Sequence, residues 1–334
     1  MRIEYLNSNG RWEGNLLCVT HSDRPTEPAY CALNYLEKRY DIPERLPARV
    51  AFESLPHIST QQPYKGTITV WQFRGQNYLQ QPELLALLRP EDYKPQHAMW
   101  YQNKLWVLGV DRLEVYDSCI SRLAVLEDPW LSGAHTIIPD GRGRLLLTCS
   151  GSDSVLVLNE KSLAVEAACR MPETIYGRNF DLTRQDSVVE HYVPNDLQLT
   201  HINCASSWHG GIVVSMLIQG AIGWFDTARN YHELLRGFVG CHGVRADART
   251  GNLYFSDSCL GVVVFLDNKL GIARRVDMAS RWLHDALQID GDTFAVSVTD
   301  SNRVQLVNVS SRDIMTEIPG AEFGMGTQFL SYGC

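Results

Sequence analysis

The chain has 334 residues, 45% hydrophobic and 20% charged, a core-forming composition that excludes global disorder. Its 30 Lys and Arg against 38 Asp and Glu leave a net charge of −8, and no basic run exceeds two residues, so neither nucleic acid nor an anionic membrane is expected as a partner. There is no uncharged apolar stretch of about 18 residues to span a membrane. The opening MRIEYLNSNGRWEGN lacks the apolar segment of a signal peptide, and nine scattered cysteines without a C-x-x-C pair point to a reduced, cytoplasmic setting.

In chain order, Pro28–Arg39 reads as a short helix or equally as a strand. A degenerate unit around His57 keeps a strand at Thr67–Phe73, and PELLALL at Pro82–Leu88 reads as a short helix. From His97 onward the chain repeats. HAMWYQNKLWVLGVDRLEVYD is a short copy, followed by full copies that begin at His135, His201, His242 and His284. Each full copy has a histidine, an alternating run, a turn and an apolar strand. A polar turn and a second apolar strand follow, ending at Asn159, Asp226, Asp267 or Asn308, which lie 24, 25, 25 and 24 residues after their histidines. The histidine spacings are 38, 66, 41 and 42 residues. The long one contains a charged, turn-rich insertion at 171–197, read as a lid. A last strand is expected in Gly324–Tyr332.

The runs LLLTC, VLVLN, GIVVSML, NLYFSD, GVVVFLD, TFAVSV and VQLVNV are β-branched or aromatic and end at turn residues, so strands dominate. A unit of about forty residues and four short strands, repeated around the chain, specifies an all-β fold, a single β-propeller over 1–334 with four-stranded antiparallel blades. Seven blades are preferred, the seventh closed by both chain ends, with six as the alternative.

In a propeller the first strand of each blade lines the axis, so equivalent residues of successive blades form a ring at one height. His135, His201, His242 and His284 lead this set, His97 follows, and His57 stands near the same phase. Neutral imidazoles converging on a small volume are natural ligands for a divalent metal, iron or zinc foremost. The plain alternative is that each imidazole only bonds backbone where its strand begins. Asp257, Asp285 and Asp300 lie near enough in phase to support the histidines. Tyr176, Arg178 and His191 in the insertion, with Trp208 and Trp282 beside ring histidines, are candidate substrate contacts. His209 and His232 fall outside the phase and read as structural.

Gly240–Asp267, with its His-Gly, G-N-L-Y-F-S-D-S and V-V-V-F-L-D, resembles a blade of the NHL/SMP-30/virginiamycin B lyase-like β-propeller family. The S-N-R-V-Q-L-V-N of the His284 copy resembles it too, and the likeness extends over roughly 97–310. It implies the propeller fold. In several enzymes of such families, residues that begin the innermost strands converge on an axial metal, and the more distant carotenoid oxygenases hold iron with blade histidines. The expected function is therefore a metal-dependent enzyme acting on a small-molecule substrate in the central channel, by lyase, cyclisation or hydrolysis chemistry, with iron–oxygen chemistry as a variant. The alternative is a non-catalytic propeller that displays its faces to protein partners.

Overall fold

A computed structural model describes residues 1–6, 15–21, 66–73, 82–90, 93–128, 130–171, 200–217, 219–280, 282–301, 303–319 and 327–332. The described strands form six antiparallel sheets, which are the blades of one propeller. Blade 2 consists of β5 (Pro95–Tyr101), β6 (Lys104–Gly109), β7 (Leu113–Tyr116) and β8 (Arg122–Leu126). Blade 3 has β9 (Ala134–Pro139), β10 (Arg144–Cys149), β11 (Ser154–Asn159) and β12 (Val165–Arg170). Blade 4 has β13 (Ile202–Trp208), β14 (Gly211–Met216), β15 (Ala221–Phe225) and β16 (Tyr231–Arg236). Blade 5 has β17 (Cys241–Ala246), β18 (Leu253–Asp257), β19 (Val262–Leu266) and β20 (Ile272–Asp277). Blade 6 has β21 (Leu283–Asp290), β22 (Thr293–Val298), β23 (Arg303–Asn308) and β24 (Asp313–Pro319).

Blade 1 mixes the chain ends. Its order is β1 (Arg2–Leu6), β4 (Glu83–Arg89), β3 (Gly66–Gln72), β2 (Leu16–His21) and β25 (Thr327–Tyr332), with the C-terminal strand innermost. The preferred seventh blade is therefore corrected to six. β2 pairs directly with β3, from Leu16 opposite Trp71 to His21 opposite Gly66, so strands divided between two expected blades belong to one sheet. Closure by both ends holds. The short helix expected at Pro82–Leu88 is a strand: β4 is paired on both sides, to β3 and β1, and buries Leu85, Ala86 and Leu88. Leu and Ala favour helix on their own, and burial between two strands overrides that weak preference.

Period-two alternation builds the core. Leu145 and Leu147 of β10 enter the seam with blade 2, while Leu146 between them enters the seam with blade 4. Among the described residues an apolar cluster fills each seam, from Leu17, Ile68 and Trp100 between blades 1 and 2 round to Cys18, Leu306 and Leu330 between blades 6 and 1. Both faces of each blade are thus apolar, which is why the sequence shows continuous apolar runs in place of amphipathic ones.

Polar contacts near the axis pin β25. The buried carboxylate of Asp285 on β21 takes both terminal nitrogens of Arg245 on β17 and accepts the Leu330 N–H at 3.0 Å. On the other side the Leu330 carbonyl meets His97 Nε2 at 3.2 Å, and the Ser331 hydroxyl donates to the Ala98 carbonyl. Gly243 has φ +62, and a Cβ there would fall 2.4 Å from Asp285 Oδ1, so only glycine leaves room for the carboxylate.

Removing one partner of a buried ion pair leaves a charge uncompensated, at a cost of about 3–5 kcal/mol. Asp285→Ala is expected to lose stability on that scale in urea unfolding. Arg303→Ala, which breaks a surface pair with Glu317 at 2.8 Å, is expected to lose about 0–1 kcal/mol. Equal losses would show that Asp285 has no closing role.

Candidate functional site

The histidine repeat marks one end of the axis. His135, His242 and His284 are the second residues of β9, β17 and β21, and His201 immediately precedes β13. A β-bulge lies at this position or just after it in the inner strands. His135 and Thr136 together face Thr148 alone, and an extra residue lies between Ile202 and Cys204, between His242 and Arg245, and between Leu283 and Asp285. Bulges re-aim side chains, and here consecutive polar residues reach the axis in place of alternate ones.

The four imidazoles gather as two touching pairs. His135 and His201 have ring centroids 4.7 Å apart, edge to face, and His242 and His284 lie 4.6 Å apart. Trp282 stands edge-on to His242 at 5.8 Å. His135 Nδ1 lies 2.7 Å from the Gly133 carbonyl and 3.4 Å from Ser150 Oγ. A carbonyl only accepts, so Nδ1 carries the proton and Nε2 keeps its lone pair. His242 repeats the arrangement, with Nδ1 2.7 Å from Ser258 Oγ and 3.3 Å from the Gly240 carbonyl. Gly133 and Gly240 have φ +59 and +89, turning their carbonyls back towards the imidazoles two residues on.

Three of the four imidazoles are held neutral. Burial, with Lys94 nearby, pushes His135 down to about 4. Burial and the neighbouring imidazoles push His201 and His242 well below the ordinary histidine range. Among the described residues, no three His, Cys, Asp or Glu side chains are placed to hold one metal ion together.

The remaining sequence candidates separate. His97 joins blades instead of the cluster: Nε2 donates to the Leu330 carbonyl of blade 1, and Nδ1 accepts the Ile137 N–H of blade 3 at 3.1 Å. With both nitrogens engaged on backbone it is a strut, and burial lowers its pKa to about 4. Trp208 ends β13, seven residues from His201 and roughly 20 Å along the strand, so it does not wall the histidine end. There its indole donates to the Gly251 carbonyl and packs against His209 and Trp224. His232 bonds Asp226 at the surface, 3.1 Å away. Tyr176, Arg178, His191 and the rest of the insertion beyond Met171 lie outside the described residues, as does His57.

Of the carboxylates expected behind the histidines, Asp285 and Asp257 are placed elsewhere, and the Asp300 side chain lies outside the described ones. Asp285 holds Arg245, and Asp257 accepts the Val239 N–H at 2.8 Å, with burial raising its pKa to about 6. The hydroxyls of Ser150 and Ser258 take the supporting role, 15 and 16 residues after His135 and His242. That recurrence was readable in the repeats, but attention to charge passed over it.

Compared by sequence, the chain matches no family model and no curated protein. Its fold is similar to solved propellers. A chain of the Nidogen/Laminin complex matches with a TM-score of 0.62 at 9% identity, over 96% of this chain and all of that one. A protein of unknown function from Bacteroides caccae matches at 0.60 and 9%, over 79% and 93%. A catalytically inactive virginiamycin B lyase from Staphylococcus aureus with quinupristin matches at 0.52 and 11%, over 76% and 77%. At these identities the likeness shows the fold, and it agrees with the family resemblance of the blades at fold level.

The buried histidines set a pH dependence. In the unfolded chain they take up protons near pH 6.5, whereas folded His135 and His97 do so only near 4. Stability is full above about pH 6.5 and falls as pH drops from there towards 4. Thermal unfolding followed between pH 7.5 and 4.5 is expected to show this fall, shallower in His135→Gln. A melting temperature that stays flat over that range would contradict burial of neutral histidines.

Proposed function

We propose that this propeller is an enzyme that acts on a small organic molecule at the histidine end of its axis, with a divalent cation, iron or zinc, as cofactor. The observation that carries the reading is the convergence of four imidazoles from four successive blades, with His201, His242 and His284 buried and His135 half-buried. The donor atoms suit such a cation in kind, but as placed no three of the described His, Cys, Asp or Glu side chains meet on one ion, so binding would draw the two pairs together. Metal-binding histidines commonly donate their second nitrogen to a carbonyl or a polar side chain, as His135 does to Gly133, which leaves Nε2 as the ligand atom. Bound among them, the cation would supply Lewis-acid polarisation or an activated water, with oxygen chemistry as well in the case of iron.

The chain's own part is to orient and exclude. Gly133, Ser150, Gly240 and Ser258 fix two ring orientations from behind. Trp282 supplies an apolar wall beside His242. Because the rings stand as two pairs, a shared ligand has to draw on both. Lyase, cyclisation and hydrolysis reactions suit such a centre. A cytoplasmic setting suits the seven described cysteines, all free thiols.

Metal content after exposure of purified protein to Fe(II) or Zn(II) at pH 7.5 tests the reading. The wild type is expected to retain metal, His242→Ala and His284→Ala to lose most of it while staying folded, and His209→Ala to match the wild type. His97→Ala is expected to lower the melting temperature more than the metal content. If the wild type retains no metal, or if His242→Ala and His284→Ala keep full occupancy and only melt earlier, the histidines are struts. A non-catalytic propeller presenting its faces to proteins is then the better account.

A further inference from the structure

Three of the axial histidines lie on inner strands with ordinary backbone, but His201 has φ +50, a left-handed conformation that costs a non-glycine residue about 1 kcal/mol or more. In blades 3 and 5 the left-handed residue is a glycine two positions ahead of the histidine, Gly133 or Gly240. The matching position in blade 4 is Leu199, so something other than glycine must hold His201 in place.

That hold comes from the neighbouring blade. Asp153, 5% exposed, ends the turn between β10 and β11, and one of its carboxylate oxygens accepts both the Thr200 hydroxyl and the His201 N–H, the latter at 3.1 Å. The His201 carbonyl accepts the Leu217 N–H at 3.2 Å, so both backbone groups of His201 are tied. Asp153 is itself fixed: its φ is +43, its carbonyl accepts the Met171 N–H at 3.2 Å, and its N–H donates to the Ser150 carbonyl at 3.3 Å. The same short turn begins at Ser150, whose hydroxyl lies 3.4 Å from His135 Nδ1 and donates to the Gly133 carbonyl. One turn therefore touches the supports of both members of the His135–His201 pair, which come from different blades.

We propose that the Ser150–Asp153 turn is the positioning element of the His135–His201 pair, and that Asp153 is the residue that sets His201. Its functional meaning rests on the reading of the axial cluster as the reactive centre. Asp153 acts through hydrogen-bond acceptance, holding the His201 backbone so that its ring meets His135, and does not itself touch the reacting molecule.

Imidazole nitrogen shifts and the ring-to-ring cross-peak between His135 and His201, read by NMR on the metal-free, full-length chain, test this without any substrate. Asp153→Gly removes the carboxylate yet accepts φ +43 without strain, which separates the clip from the backbone. Asp153→Asn keeps an accepting oxygen and also tolerates the left-handed region. Loss of the cross-peak and shifted His201 nitrogens are expected in Asp153→Gly, near wild-type spectra in Asp153→Asn, and unchanged His242 and His284 signals in both. An unchanged His201 in Asp153→Gly, or an Asn variant as disturbed as the Gly variant, overturns the proposal. Should Asp153→Gly fail to fold, Asp153→Ser, which withdraws the carboxylate while losing less of the side chain, serves in its place, and an unmoved His201 there has the same force. A wild type that binds no metal would sink the functional reading and leave this geometry standing.

Discussion

The closing contact at Asp285 organises the molecule. One buried carboxylate neutralises Arg245 of blade 5 and accepts the amide of Leu330, the innermost strand of blade 1, from its own place in blade 6. A blade with two apolar faces cannot stand alone, and a row of them is satisfied only when the last meets the first. In this chain the last innermost strand is also the last in sequence. The ring therefore closes through noncovalent contacts between residues more than three hundred positions apart, such as Leu16 opposite Tyr332. His97 completes the clamp from the far side, reading the Leu330 carbonyl with one nitrogen and the Ile137 amide with the other.

The axial cluster depends on that closure. Its members come from four blades, and their separations are set by how the blades fan around the axis. In blades 3 and 5 the local devices are modest: a bulge at or after the histidine, a left-handed glycine two residues before it, and a hydroxyl from the turn after the second strand. Together they fix ring orientation, and the ring of blades fixes ring separation. Burial holds His135, His201 and His242 neutral, and within each pair, at centroid distances of 4.7 and 4.6 Å, two cations would repel one another without a partner to offset them.

Much of the fold was legible because a propeller writes its period into the chain. The regular spacing of the histidines and of the Asn or Asp residues that end each copy located blades 2 to 6 and set the phase of the inner strands. Blade 1 resisted because its strands come from both ends of the chain and depart from the repeat order, which made one sheet read as parts of two. PELLALL misled for a related reason: helix preference is local, whereas its pairing with β1 and β3 is not. At the site, the repeat phase brought out His135, His201, His242 and His284 together, and also His97, whose phase is that of a histidine but whose nitrogens serve the closure. Ser150, Ser258 and Asp153 stayed hidden because small polar residues near a strand end read as turn formers, and only spatial neighbours from another blade give them a second task.

A single cooperative closure sets the axial histidines in place. Native-state amide exchange measures it most directly, through the Leu330 N–H at the closing contact and the His201 N–H at the cluster. The account predicts that both exchange only by global unfolding, at the free energy found for the β10 and β14 core amides. Exchange of Leu330 through a smaller opening that leaves His201 protected would contradict it, for the cluster would then persist without the closed ring.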